Sequence, residues 1–122
     1  PQSGEGETQW VAMGKQHLWR GIWGFRDVEH GQVDEGEIEN KLSEAMENLF
    51  LSSIYFRQYW PTSFDYDRTV GYLTSYLPQI RKYIPSIPQP LVWVKARVTK
   101  LEKEYSIQLT ELHNLIDRTV LF

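Results

Sequence analysis

The side chains that could bind a metal or catalyse a reaction are few in this chain, and they are widely spaced. Asp27 and His30 have the three-residue spacing found in one half of a di-iron site in a helical bundle. Such a site needs a second half and two more inward carboxylates, and the second half is missing. His17 and His113 lie on other predicted helices, and neither has a histidine partner four residues away. We therefore expect His30 to be a solvated residue at a helix end, and we predict no metal and no cofactor.

Asp65 and Asp67 are the closest approach to a pair of catalytic carboxylates. Residues two apart on a helix do not face each other, so a shared proton is not expected. Ser63 or Asp65 is better placed to cap a helix, and Arg68 to form a surface ion pair with one of the aspartates. These residues predict a helix start and no catalytic residue.

Phosphate-binding and nucleophile motifs are missing from the sequence. Gly14, Gly21 and Gly24 do not have the spacing of a phosphate loop, and no GxSxG motif occurs. The chain has no cysteine, which excludes disulfides, cysteine zinc sites and thiol catalysis. No run approaches the roughly 18 consecutive apolar residues of a membrane span. The sequence therefore predicts a soluble protein that is not an enzyme.

The charges are unevenly distributed along the chain, whose net charge is −3. Residues 1–47 contain ten acids and four bases, whereas the remainder contains six acids and nine bases. Such asymmetry can steer a charged partner, or the two parts can neutralise each other in the fold. The net acidic balance argues against nucleic acid as that partner. The candidate electrostatic docking residues are Arg81, Lys82, Lys95, Arg97, Lys100 and Lys103.

Tryptophans near the N-terminus offer a second candidate surface. Trp10, Trp19 and Trp23 cannot all lie on one narrow face of a helix, so at least one should be near the surface. An exposed tryptophan beside Arg20 and Arg26 would be a credible interface anchor. Trp19 and Trp23 are therefore the alternative docking residues.

Apolar residues recur at three- and four-residue spacing and predict an all-α protein. After a flexible start at residues 1–9, a first helix covers residues 10–27, where the glycines allow close helix contact or mark an early end near Gly24. A second helix runs from Asp34, with a capping box at Asp34 and Glu37, to near Tyr59. Three acidic residues at its start are solvated or dock a basic partner. They are Glu35, Glu37 and Glu39.

A third helix carries two apolar stripes and must pack between two neighbours. Pro78 lies inside it and should kink it or divide it into two short helices. A proline-rich connector follows, with Pro90 in the first turn of a long last helix over residues 91–120, where polar Gln108 is the one lapse in the apolar stripe. We predict one domain, 1–122, forming an up-down-up-down four-helix bundle.

One stretch, residues 60–83, also carries a family resemblance. A Trp-Pro pair leads into an Asp/Arg turn and then a helix with Tyr-Leu pairs. This pattern resembles the PsbQ family, small extrinsic subunits of photosystem II, including the more divergent PsbQ-like subunits of diatoms and other algae. The matching residues are Trp60, Pro61, Asp65 or Asp67, Arg68, Tyr72, Leu73, Tyr76 and Leu77.

The resemblance implies a four-helix bundle in the chloroplast thylakoid lumen, peripheral to the membrane and not spanning it. Such a subunit would dock on the lumenal face of photosystem II, among its core and other extrinsic subunits. It would sustain oxygen evolution and retention of manganese, chloride and calcium without ligating them. The start at Pro1 would fit a removed leader or an excised fragment. Plant members differ in having two helices after the Trp-Pro pair and a proline-rich N-terminal arm.

A different function class remains open from the residues alone. The chain could be a helical interaction module of another system, either a secreted effector or a complex-assembly adaptor. It would then bind through the Trp-rich first helix, whereas the photosystem subunit would bind through its basic residues.

Overall fold

The computed structural model describes residues 5–59 and 64–122, and every regular element within these ranges is helical. The predicted all-α class is confirmed. The helices are α1 (Glu5–Glu29), α2 (Ile38–Tyr59), α3 (Phe64–Tyr76), α4 (Ile80–Tyr83), α5 (Pro90–Tyr105) and α6 (Thr110–Arg118), with 3-10 turns at Glu35–Glu37 and Leu77–Gln79.

Helices α1 and α2 pack closely because glycines line their contact. A Cβ atom added to Gly14 would lie 2.6 Å from the ring of Phe56, and one added to Gly24 would lie 2.7 Å from the Cβ of Ala45. Positions rise along α1 as they fall along α2, so the two helices are antiparallel. The glycines therefore allow close approach and do not end the helix early. Residues 5–9, for which a flexible start is predicted, belong to α1.

The predicted capping box at the start of α2 is wrong. The side chain of Asp34 makes no capping bond, and its carbonyl accepts the N–H of Glu37 at 2.8 Å. That bond closes a 3-10 turn, so the α-helix begins at Ile38. The described part of the helix extends to Tyr59. The predicted conformation of Trp60 and the predicted cap at Ser63 lie outside the described residues.

Helix α3 runs antiparallel to α2 and ends before Pro78. The hydroxyls of Ser52 and Thr69 are 3.1 Å apart in the core between the two helices. Because Pro78 has no N–H, α3 stops at Tyr76 and gives way to a 3-10 turn and the short α4. The predicted division into shorter helices is confirmed. Pro90 is the first residue of α5, as expected.

The predicted continuous helix over residues 91–120 is wrong. Helix α5 ends at Tyr105, and Ser106 takes the left-handed conformation, with φ 53° and ψ 47°. The chain then reverses, and α6 packs antiparallel against α5. Lys95 near the start of α5 pairs with Asp117 near the end of α6, with 2.7 Å between Nζ and Oδ1.

This reversal has a packing reason, because α6 covers a side of α3. Glu111, in the first turn of α6, contacts the hydroxyl of Tyr66 in α3. Further along, the N–H of Phe122 donates to the carbonyl of Pro78 at 2.9 Å. Leu112 and Ile116 of α6 thereby join the buried core. A straight helix would leave those apolar residues away from α3.

Candidate functional site

Two large aromatic side chains of α1 lie outside the core. Trp19 and Trp23 are 45% and 56% exposed, whereas Leu18 and Ile22 beside them are completely buried. One helical turn separates the two tryptophans, so they share one outward side of α1. The sequence requires at least one tryptophan near the surface, and this prediction is confirmed.

Guanidinium groups hold both indole rings. The guanidinium carbon of Arg26 lies 5.5 Å from the ring centroid of Trp23. That of Arg68, on α3, lies 5.7 Å from the centroid of Trp19 and 5.8 Å from that of Phe64. Cation–π contacts of this kind restrain exposed rings. We call the surface formed by Trp19, Arg20, Trp23, Arg26, Phe64 and Arg68 the aromatic face.

A groove of about 520 Å³ adjoins the aromatic face. Gly24 lies in its lining, where the missing side chain lets α1 approach α2. Lys41 of α2 and Asp27 of α1 also line it, with 3.9 Å between their charged atoms. Arg20 is exposed on its rim and has no ion pair within the described residues. The groove therefore offers apolar rings and one unpaired cation to a partner.

The predicted basic docking residues do not form one free patch. Lys95 is paired with Asp117 of α6, and Lys100 with Glu47 of α2 at 2.8 Å. The ion pair with Glu47 raises the pKa of Lys100. Two of the six cations are thus paired within the fold, and one of these pairs, Lys100 with Glu47, joins the basic part to the acidic part.

A third member, Arg97, contributes to packing. Its Nε donates to the hydroxyl of Ser43 at 2.7 Å, and its guanidinium lies 4.2 Å from the ring centroid of Trp93. The other three are exposed and without ion pairs in the described part of the chain. They are Arg81 and Lys82 on α4 and Lys103 on α5.

The histidines have ordinary structural partners. His17 lies 2.8 Å from the side-chain oxygen of Asn48 and stacks on Tyr55, with 5.4 Å between ring centroids. His113 lies 2.9 Å from a carboxylate oxygen of Glu102. His30 is exposed, and the nearest carboxylate is that of Glu29 at 4.0 Å. Each histidine thus has a local contact of its own.

None of the histidines in the described residues lies in a group of metal-ligating side chains large enough to hold an ion. Asp27, the proposed partner of His30 in a half-site, contacts Lys41 instead. Within residues 5–59 and 64–122, no group of three or more His, Asp or Glu side chains is arranged to hold a metal ion.

One polar cluster escapes prediction from the sequence. Arg57 of α2, Tyr66 of α3 and Glu111 of α6 contact one another beside a cavity of about 540 Å³. Burial, and then the bond to Glu111, raises the pKa of Tyr66. The bonds from Arg57 and then Tyr66 lower the pKa of Glu111.

These shifts leave the phenol protonated and the carboxylate charged near neutral pH. The contacts among the three side chains join α2, α3 and α6. No local sequence pattern predicts this cluster, because its residues are separated by 9 and 45 positions in sequence.

Comparisons with protein-family models, with curated proteins and with solved structures gave no match. No helix in the described ranges is both long and apolar enough to cross a bilayer.

Proposed function

We propose that the chain is a non-enzymatic helical interaction module, a secreted effector or an assembly adaptor, that binds a partner protein through the aromatic face. The observation that carries this proposal is the exposure of Trp19 and Trp23 on a helix whose opposite side is fully buried. Tryptophan is the residue type most enriched among interface hot spots. Rings already held by guanidinium groups lose little freedom on binding, which favours affinity.

The charges around the groove indicate the chemistry of the partner. Arg20 and Arg26 flank the indole rings, and guanidinium groups bind carboxylates in a bidentate geometry. Arg68 is already paired with Asp65, 3.7 Å away, as the sequence predicts. The matching surface is an apolar protein segment that carries carboxylates.

Screening a displayed library of helical peptides for binding to the full-length chain tests this proposal. Selected binders should lose at least about 30-fold in affinity when Trp19 or Trp23 is replaced by alanine, the loss typical of a hot spot. Tyr105→Ala is the matched control, because Tyr105 is also an exposed aromatic (40%) but lies on α5. The proposed face would be refuted if the selected peptides kept their affinity for both tryptophan variants, or if they lost affinity for the Tyr105→Ala variant alone.

The resemblance of residues 60–83 supports a second proposal. In it the chain is an extrinsic subunit in the thylakoid lumen that docks on photosystem II and supports oxygen evolution and retention of its inorganic cofactors. The exposed cations Arg81, Lys82 and Lys103, which have no ion pair in the described residues, would carry the contact.

Rebinding to washed photosystem II membranes tests this second proposal. Binding should occur at low salt, weaken as salt screens the contact, and fall with Arg81→Glu and Lys82→Glu but not with Trp19→Ala. Failure to rebind at low salt would remove the proposal.

Both proposals include the up-down-up-down four-helix bundle, with α1, α2, α3 and α5 as its members. Supporting it, Ser43 and Glu47 of α2 contact Arg97 and Lys100 of α5 respectively. Positions rise together along these two helices, so α5 runs parallel to α2, as the fourth and second helices of such a bundle do.

A further inference from the structure

The connection between α5 and α6 is held in a backbone conformation that its residue does not favour. Ser106 is the one non-glycine residue with positive φ in residues 5–59 and 64–122. The left-handed region brings Cβ close to the following carbonyl, so residues other than glycine rarely adopt it. Something other than local preference therefore keeps the turn closed.

The sequence around this turn also fits a continuous helix. Apolar residues keep three- and four-residue spacing from α5 into α6, with one lapse at Gln108. The members of this stripe are Leu91, Val94, Val98, Leu101, Tyr105, Leu112 and Leu115. The same segment is thus compatible with a hairpin and with one long helix.

Contacts across the hairpin are symmetric about its turn. Lys95 pairs with Asp117, and Glu102 pairs with His113, so the midpoints of both pairs lie between residues 106 and 108. If α5 and α6 straighten into one helix in each of two copies, the two helices can lie antiparallel around a two-fold axis at this point. Each pair then forms twice, between copies, as a two-fold interface requires.

We propose that α6 is exchangeable, and that two copies of this chain form a dimer in which each α6 packs on the other protomer. The apolar side chains of α6 indicate that its binding site in the dimer is the equivalent site on a second copy of this chain. Leu112 and Ile116 are 4% and 1% exposed, and a straightened helix must bury them again elsewhere. The second copy offers the same site, with the same partners for Glu111.

Concentration decides between the two forms. Within one chain, a short connector holds α6 near its site at a local concentration on the order of millimolar. The hairpin is therefore the form at low protein concentration. Refolding at concentrations on the order of 1 mM should yield the exchanged dimer, because the second copy then competes with the connector.

Variants of the turn test the proposal by light scattering after chromatography of the refolded full-length chain. Ser106→Gly, which relieves the left-handed turn, should weaken dimerisation by on the order of tenfold for each turn. Ser106→Ala favours a continuous helix and should strengthen it. If the chain stays monomeric at every concentration, or if both variants dimerise equally, the proposal is overturned.

Cross-linking shows which segment is exchanged. Because the chain has no cysteine, Lys95→Cys and Asp117→Cys can be placed on separate chains, refolded together and treated with a short bismaleimide. The exchanged dimer should give a linked heterodimer. A dimer that does not cross-link, or one abolished by Trp19→Ala with Trp23→Ala, would use another surface and would overturn the proposal.

Discussion

At the scale of single residues, glycine has opposite consequences at two helical positions. A Cβ added to Gly21 of α1 would lie 2.6 Å from Cγ of Leu49 and 2.9 Å from the backbone oxygen of Ala45. A backbone atom cannot move aside as a side chain can. A Cβ on Gly71 of α3 would meet nothing within 4 Å. The close approach of α1 to α2 therefore requires glycine at position 21, whereas no contact requires glycine at position 71.

We expect Gly21→Ala to lower the free energy of unfolding by about 1–3 kcal/mol, the usual cost of overpacking a core. Gly71→Ala should raise it by about 0.5–1 kcal/mol, because alanine is the better helix former and no clash opposes it. Urea unfolding followed by circular dichroism measures both. Equal changes of the same sign would mean that α1 and α2 do not make the described contact.

Sequence reasoning succeeded for residues whose environment depends on their own helix. The exposure of at least one of the three tryptophans of α1, and a kink or division at Pro78, follow from helical geometry and from the missing N–H of proline. The pairing of Lys100 could not be predicted from the sequence, because its partner Glu47 is 53 positions away. Local charge density therefore cannot distinguish the cations that are paired within the fold from those that are exposed and unpaired. That distinction requires the positions of the helices.

At the scale of elements, α6 is short and depends on its neighbours. It has nine residues, and isolated helices shorter than about 12 residues are marginal in water. The carboxylate of Glu102 accepts the N–H of Leu109 at 2.7 Å and contacts His113 at 2.9 Å. One side chain of α5 thus caps the start of α6. Periodicity cannot reveal such a break, since a reversed helix keeps the same apolar spacing.

We expect Glu102→Ala to lower the free energy of unfolding by about 1–2 kcal/mol, because an N–H loses a charged acceptor. Hydrogen exchange in α6 should quicken more than in α1 or α2. Glu102→Gln, which keeps an amide oxygen, should cost less. Uniformly faster exchange in all helices would show that the residue stabilises the whole fold and not α6 in particular.

The pH dependence of this contribution has a definite sign. The bonds from Leu109 and His113 lower the pKa of Glu102 below its usual value of 4.5. Its stabilisation is therefore complete above that value and is lost as the pH falls through the lowered pKa of the folded state. The stability difference between the native chain and Glu102→Gln should accordingly shrink as the pH falls below about 4.5.

At the scale of the whole molecule, the fold brings the acidic and basic parts of the chain together. Lys100 pairs with Glu47 across α5 and α2, and its side chain is 56% exposed. Because water screens such a pair, its contribution should be at most about 1 kcal/mol. Compensation between the two parts through this pair is therefore small, and it reduces the charge left to attract a partner.

A charge-reversal cycle measures this compensation. Lys100→Glu places two acids side by side and should destabilise by about 0.5–1 kcal/mol, and Glu47→Lys should cost a similar amount. The double variant should recover part of the loss, since the new pair forms again. Recovery should be incomplete because Glu104, 4.0 Å from Lys100, then faces a like charge. Near 1 M salt, where screening acts within about 3 Å, the coupling should largely vanish. A coupling of zero at low salt would mean that the two parts do not compensate through this contact.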